Sequence, residues 1–239
     1  MANKPIDWKN VERVLVVRLR SIGDAVLCTP SLIALRKFLP EAQVDVLLED
    51  WVAPLFDGFD VVDDVLTTKR GDAKNRAKVM FELSKRGYDV AYNLHGGTTA
   101  TFFTASTLAK HRVGFADYRY KFLYNFLAPP SSEFWKQAKT HSAEQQLALL
   151  GWSGVSVFDK PRTLLKVTET ARQSIENKLD FEDFALVHPV AAFDTKQWAT
   201  EKFARIIEFL HDNNLKTVAV ATSKERETLS RLKELCRVP

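Results

Sequence analysis

An apolar run that leads into a glycine–aspartate turn limits what the N-terminal part of this chain can fold into. Residues 14–17 (Val-Leu-Val-Val) are typical of a parallel strand buried on both faces. Residues 31–38 have the pattern of a helix that ends at Pro40. Gly23 and Asp24 therefore lie where a first strand passes into a first helix. In an open α/β sheet, ligands bind at this edge.

Asp24 has two interpretations at that position. An aspartate beside a ligand can act as a base, and Gly23 would let a ligand approach the backbone closely. Asp24 can equally cap the helix while Gly23 relieves the turn. The segment contains neither a Gly-x-Gly-x-x-Gly fingerprint nor the Gly-Lys-Ser/Thr of a phosphate-binding loop. A nucleotide-dependent dehydrogenase is therefore disfavoured.

Strand-like and helix-like segments alternate through the chain, which predicts an α/β fold with parallel sheets covered on both faces. Strands are predicted at 13–18, 44–48, 61–66, 88–94, 112–115, 184–188 and 217–221, and the main helices at 30–39, 72–86, 98–108, 140–150, 168–179, 200–210 and 224–235. We expect two domains, 1–161 and 162–239. The second is shorter than a free-standing α/β domain usually is, which predicts that it is incomplete in this chain.

Composition and charge narrow the possible partners. A net charge of +4 fits an anionic partner, such as a phosphorylated lipid or a nucleotide. There is no dense stripe of Lys and Arg, so nucleic acid is not expected. Two cysteines and an N-terminus unlike a signal peptide predict a cytoplasmic protein with reduced thiols. No apolar run approaches the ~20 residues that span a bilayer, so any membrane contact is expected to be peripheral.

A second motif supports a more specific interpretation. His188-Pro-Val-Ala-Ala-Phe-Asp-Thr-Lys-Gln-Trp198 precedes a helix that contains Glu201-Lys-Phe. With Arg18, Gly23-Asp24 and Thr29-Pro30 before it, this motif resembles those of the bacterial ADP-heptose:lipopolysaccharide heptosyltransferases, which belong to glycosyltransferase family 9. Smaller matches, such as Leu94-His95-Gly96, extend the resemblance over essentially the whole chain.

The resemblance implies a GT-B-like fold with two Rossmann-like domains, the first for the acceptor and the second for the nucleotide sugar. It implies inverting, metal-independent transfer of a heptose from ADP-heptose to the inner core of lipopolysaccharide, with no cofactor. The sequence is consistent with metal independence because it contains no Asp-x-Asp pair. Such an enzyme is expected in the cytoplasm, with possible peripheral contact with the inner membrane.

The resemblance also implies roles for residues on the donor side and for the base. Asp24 matches the base that takes the acceptor proton. Lys196 matches the cation that meets the charge on the leaving ADP, although it could be a solvated surface lysine. Backbone amides of Ala191 and Ala192 could donate to the phosphates. Glu225 matches a carboxylate that bonds the ribose, although it could be an ordinary first-turn acid.

On the acceptor side, five residues are candidates: Gly23, Arg20, His95, Arg119 and Lys121. Arg20 lies in the loop after the first strand and could face an anionic acceptor. His95 follows another strand and could lie near the cleft. Arg119 and Lys121 stand among aromatic residues that could bind acceptor phosphates, rest on a membrane surface or pack in the core. No metal ligands are expected.

Three functional hypotheses stay open. The first is the heptosyltransferase. The second is a truncated, non-catalytic relative that only binds the acceptor, because the family continues with an Asp-Ser/Thr-Gly segment that these residues do not include. The third is a transferase of the same fold that uses another sugar nucleotide. Val190 stands where the family has a glycine, and Thr222 lies where the family has a glycine-rich turn, which keeps the third hypothesis open.

Overall fold

The computed structural model describes residues 5–191 and 193–238, and the chain forms two compact units, Met1–Thr168 and Glu169–Pro239. The first unit contains a parallel sheet with the strand order β3-β2-β1-β4-β5-β6. Its strands are β1 (Arg13–Val17), β2 (Gln43–Glu49), β3 (Asp64–Thr68), β4 (Val90–Asn93), β5 (His111–Phe115) and β6 (Phe126–Ala128). Its helices are α1 (Ile22–Val26), α2 (Thr29–Phe38), α3 (Ala73–Lys85), α4 (Thr98–Ser106), α5 (Ser131–Trp135) and α6 (Ser142–Trp152).

The strand order reverses beside β1. The chain extends the sheet on one side of β1 through β2 and β3, and then on the other side through β4, β5 and β6. Val17 of β1 therefore lies between Leu47 of β2 and Asn93 of β4. Loops that leave the carboxyl ends of β1 and β4 run to opposite faces of the sheet, which opens a crevice between them.

Both faces of β1 are buried, as its uninterrupted apolar sequence predicts. Val14 and Val16 join a core cluster with residues of α2 and α6. Leu15 and Val17 point to the other face and join a cluster with residues of α3 and α4. The predicted α/β class, with helices on both faces of a parallel sheet, is confirmed.

A buried carboxylate ties β2 to the segment before β4. Asp45 is fully buried and accepts a hydrogen bond from the Tyr88 hydroxyl at 2.5 Å. Nη1 of Arg86 lies 3.1 Å from Asp45 and 2.7 Å from Asp64. Burial, and then the contact with Asp45, raise the pKa of Tyr88. The Asp45 charge is thus stabilised by groups that lie beyond its own strand.

We expect Asp45→Ala to lower the free energy of unfolding by about 3 kcal/mol, because it leaves buried polar partners of a charge unpaired. Asp159→Ala is the control, since Asp159 forms an exposed ion pair with Lys37 and its loss should cost under about 1 kcal/mol. Urea unfolding of both variants measures the difference. Equal unfolding midpoints for Asp45→Ala and the wild-type protein would contradict the structural importance of this contact.

Two local assignments made from the sequence were incomplete. Residues of α1 were assigned to the turn before the first helix, but they form a separate short helix that starts with a capping box at Ser21. The second difference is that α6 continues through Gly151, where the prediction ended it. A Cβ at Gly151 would lie 2.1 Å from Cζ of Phe134, so this glycine gives the Phe134 ring room against the helix.

The second unit contains a two-stranded parallel sheet. Its elements are α7 (Glu169–Glu176), β7 (Phe184–Val187), α8 (Thr200–Asp212), β8 (Lys216–Ala219) and α9 (Arg226–Leu235). The buried apolar cluster is small and consists of Val187, Ala204, Ile207 and Leu232. These helices and strands lie close to the predicted ones.

Residues 162–168, which the sequence placed in the second domain, belong to the first compact unit. The backbone N–H of Leu164 donates to Oγ1 of Thr29 in α2 at 3.1 Å. Lys166 lies 3.6 Å from the Asp60 carboxylate. The segment therefore packs along the first unit before the chain enters α7. No helix of the described residues is long and apolar enough to cross a bilayer.

Candidate functional site at the carboxyl edge of the first sheet

Asp24 lies in α1, shortly after the carboxyl end of β1, and both carboxylate oxygens have partners. Oδ1 is 2.8 Å from Nη2 of Arg18. Oδ2 accepts from the Ser21 hydroxyl at 3.2 Å and from the Ser21 backbone N–H at 3.4 Å. The Asp24 side chain nevertheless remains 42% exposed. Asp24 thus serves the helix as a cap while its carboxylate, which has about four lone-pair sites, stays accessible to a ligand.

Arg18 connects the ends of the two strands that flank the crevice. It directly follows β1, is buried, and donates from Nη1 to the backbone oxygen of Leu94, which directly follows β4. The same guanidinium forms the ion pair with Asp24. A buried charge needs partners of this kind, so the contact fixes both loops and the direction of the Asp24 carboxylate.

A cavity of about 360 Å³, which we call the Asp24 cavity, opens beside these residues. Its walls include the carboxylates of Asp24 and Asp117, the rings of Phe115 and Tyr118, and the hydroxyls of Ser131 and Ser142. Arg18 also lines it, but that guanidinium is already paired. The size and mixed lining suit a small polar organic ligand.

A second pocket, of about 260 Å³, has a different charge. Four cations line it, Arg20, Lys69, Arg70 and Arg76, and we call it the basic pocket. None of the four forms a salt bridge within residues 5–191 and 193–238. Its carboxylate, Glu49, is buried and accepts a hydrogen bond from Nε1 of Trp51. This uncompensated positive charge suits an anionic ligand.

His95 lines both the Asp24 cavity and the basic pocket. The side chain of Asn93 shapes its turn by accepting hydrogen bonds from the backbone N–H groups of His95 and Gly96. Burial, and then the nearby charges of Arg18 and Arg20, lower the pKa of His95 below its ordinary value. At neutral pH the imidazole is therefore neutral and can both donate and accept hydrogen bonds.

We expect the His95 imidazole to titrate below the ordinary value of about 6.5 in a proton NMR titration. Arg20→Gln should raise the pKa of His95, because it removes one of the cations that disfavour the protonated ring. Arg119→Gln is the control and should leave the His95 titration unchanged. A His95 midpoint at or above 6.5 in the wild-type protein would contradict the described environment.

Two candidates of the second unit, Ala191 and Lys196, lie in the segment between β7 and α8. Lys196 is exposed, and its Nζ lies 5.5 Å from the centroid of the Phe193 ring. The backbone N–H of Ala191 donates to Oε1 of Gln197 at 2.7 Å, and Nε2 of Gln197 donates to the Pro189 oxygen at 2.8 Å. Gln197, which sequence reasoning did not single out, therefore holds this loop. Ala192 lies outside the described residues.

Glu225 precedes α9 and is half-buried. Its carboxylate accepts hydrogen bonds from the Thr222 backbone N–H at 2.9 Å and from the Thr222 hydroxyl at 2.8 Å. These bonds lower the pKa of Glu225. Glu225 is thus a first-turn acid, as the alternative interpretation of the sequence allowed, and it forms a capping box with Thr222.

The structure brings some of the predicted acceptor residues together and leaves others apart. Arg20 and His95 both line the basic pocket. Gly23 is in the same helix as Asp24, and a Cβ there would meet no atom within 4 Å, so the free protein does not require glycine at this position for space. Arg119 and Lys121 are exposed and line neither the Asp24 cavity nor the basic pocket.

Sequence reasoning missed Lys69, Arg70 and Arg76 in the basic pocket and Gln146 in the Asp24 cavity. Lys69 and Arg70 directly follow β3, so a pair of cations at the end of a predicted strand was an available signal. In the part of the chain that the structure describes, no group of three or more His, Cys, Asp or Glu residues could hold a metal ion.

Comparisons with known proteins show the family of this chain. The family model described as glycosyltransferase family 9 (heptosyltransferase) matches residues 76–239. A curated relative, lipopolysaccharide heptosyltransferase 3 of Escherichia coli, is 24% identical over 92% of this chain and 68% of its own length. Its counterpart from strain K12 is 21% identical over 84% of this chain and 60% of its own length. The chain thus spans about two thirds of the length of the first relative and a smaller share of the length of the second.

Solved structures show a similar fold. The glycosyl transferase family 9 protein of Veillonella parvula has a TM-score of 0.79 and 19% identity, covering 95% of this chain and 67% of that one. E. coli ADP-heptose lps heptosyltransferase II has a TM-score of 0.78 and 20% identity, and the match covers 95% of this chain and 69% of that one. E. coli heptosyltransferase WaaC with ADP has a TM-score of 0.69 and 20% identity, and the match covers 93% of this chain and 72% of that one. These likenesses support the predicted GT-B-like class of fold.

Proposed function

Because the chain belongs to glycosyltransferase family 9, the heptosyltransferases, we propose that it transfers a heptose from ADP-heptose to an inner-core sugar of lipopolysaccharide. The family predicted from the two sequence motifs is confirmed. The observation that carries the proposed reaction is the Asp24 carboxylate, held by Arg18 beside a cavity at the reversal point of the sheet. Ligands of open α/β sheets bind at such a point.

In the proposed step, Asp24 takes the proton from the attacking hydroxyl of the acceptor. The hydroxyl oxygen forms a bond to the anomeric carbon of the heptose while the bond from that carbon to the phosphate oxygen breaks. ADP leaves with the bonding electron pair, and attack from the opposite face inverts the configuration. Arg18 stays paired with Asp24, so the carboxylate is already oriented when the acceptor binds.

Anionic groups of the acceptor are assigned to the basic pocket. Arg20, Lys69, Arg70 and Arg76 offer positive charge that the described carboxylates do not neutralise. Arg119 and Lys121 belong to a separate exposed loop with Phe122, whose side chain is 77% exposed. We assign that loop to the lipid-linked end of the acceptor, at the cytoplasmic face of the inner membrane.

On the donor side, we assign the negative charge of the leaving ADP to Lys196 rather than to a metal ion, and we propose no cofactor. The exposed ammonium of Lys196 is free to approach a diphosphate. The ribose is assigned to the Glu225 carboxylate, which its bonds with Thr222 keep ionised. Amides of Ala191 and Ala192 remain candidates for the phosphates, with Gln197 having to release the Ala191 N–H first.

We expect Asp24→Asn to reduce heptosyl transfer at least about a hundredfold, because an amide cannot take the acceptor proton. Mass spectrometry of the acceptor measures transfer, and calorimetric titration with ADP shows whether the donor side remains intact. Asp159→Asn, in an exposed ion pair, is the matched control. Full activity of Asp24→Asn would remove Asp24 from this role.

Lys196→Met should lower the turnover number for transfer about a hundredfold, since the charge that develops on ADP then lacks its cation. Lys202→Met is a close control, because Lys202 lies 5.6 Å from the centroid of the Trp198 ring much as Lys196 lies over Phe193. Steady-state kinetics with varied ADP-heptose measures both. Equal losses in the two variants would mean that the effect is not specific to Lys196.

A further inference from the structure

Gln146 is a buried polar residue that the fold itself does not explain. It lies in α6, is only 5% exposed, and lines the Asp24 cavity. Its buried Oε1 accepts no hydrogen bond among the described residues. Buried polar atoms in native proteins nearly always have partners, so each exception needs a reason.

The residues that directly follow Gln146 in α6 are apolar and buried, whereas the residue before it is polar and exposed. Leu147, Leu149 and Leu150 follow it in α6 and are buried in the core of the first unit. The preceding residue, Gln145, is exposed, and its amide donates to the Thr140 oxygen. A leucine at position 146 would not bury the unpaired Oε1, so the glutamine costs the fold stability.

A second unpaired atom belongs to the same cavity. Nδ1 of His95 is buried without a hydrogen-bond partner among the described residues, and His95 also lines the Asp24 cavity. The imidazole is neutral, because burial and two arginines lower the pKa of His95. Gln146 and His95 are therefore two neutral residues of the Asp24 cavity, each with a polar atom available for a hydrogen bond to a ligand.

The chemistry of these groups identifies the kind of ligand. The charge of Arg18 in this cavity is paired with Asp24, and Asp117 adds a further carboxylate, so the cavity is unsuited to an anion. Amides, hydroxyls, a neutral imidazole and carboxylates bond well to neutral hydroxyl groups. We propose that Gln146 hydrogen-bonds a hydroxyl of the acceptor sugar and so selects the ring that is presented to Asp24. This inference rests on the proposed function and makes Gln146 a specificity-determining residue.

Gln146→Leu tests this assignment with the purified full chain. We expect the affinity for a heptose-free inner-core oligosaccharide, measured by calorimetric titration, to fall about tenfold through the loss of one hydrogen bond. We also expect the thermal unfolding midpoint to stay equal or to rise, because the substitution removes a buried oxygen without a hydrogen-bond partner among the described residues. Gln137→Leu, at an exposed position outside the cavity, should change neither quantity.

The salt dependence separates this contact from the charged ones. The loss caused by Gln146→Leu should be the same at low and high salt, whereas the loss caused by Lys69→Ala in the basic pocket should shrink as salt rises. Unchanged affinity in Gln146→Leu, or a lowered unfolding midpoint that accounts for weaker binding, would overturn the role of Gln146 alone. Absence of binding by the wild-type protein would overturn the proposed function and this inference with it.

Discussion

The crevice of the first unit depends on the contacts of one buried guanidinium. Arg18 follows β1, bonds the backbone after β4 and pairs with Asp24 in α1. The order of the sheet reverses beside these two strands, so Arg18 lies at the edge where ligands of open α/β sheets bind. The Arg18 guanidinium is buried and needs both partners, the Leu94 backbone oxygen and the Asp24 carboxylate. One side chain therefore orients the candidate base and also joins the loops that follow β1 and β4.

His95 lies where two chemically different pockets meet. The Asp24 cavity offers carboxylates, hydroxyls and the Gln146 amide, while the basic pocket offers four cations without salt-bridge partners among the described residues. An acceptor sugar that carries negative groups needs both kinds of surface. A neutral imidazole between them can bond to hydroxyl groups without neutralising Asp24. The proposed acceptor specificity follows from this separation of charge.

Much of this fold could be predicted from local sequence. The buried run 14–17 and the following Gly23-Asp24 placed the first strand and the candidate base correctly at the edge of a parallel sheet. Lys69 and Arg70 could be found from their place after a predicted strand, but the meeting of these cations with Arg20 and the burial of Gln146 could not, because parallel pairing brings such residues together from separate strands and helices. The end of α6 was misjudged for a similar reason, since Gly151 makes room for a distant ring.

The most direct test of the account is transfer from a panel of nucleotide sugars to a heptose-free core acceptor, followed by mass spectrometry of the product. We expect the acceptor to gain one heptosyl residue from ADP-heptose and no sugar from other donors. The new linkage should have the anomeric configuration opposite to that of the donor. Transfer from a different sugar nucleotide, retention of configuration, or acceptor binding without any transfer would contradict it.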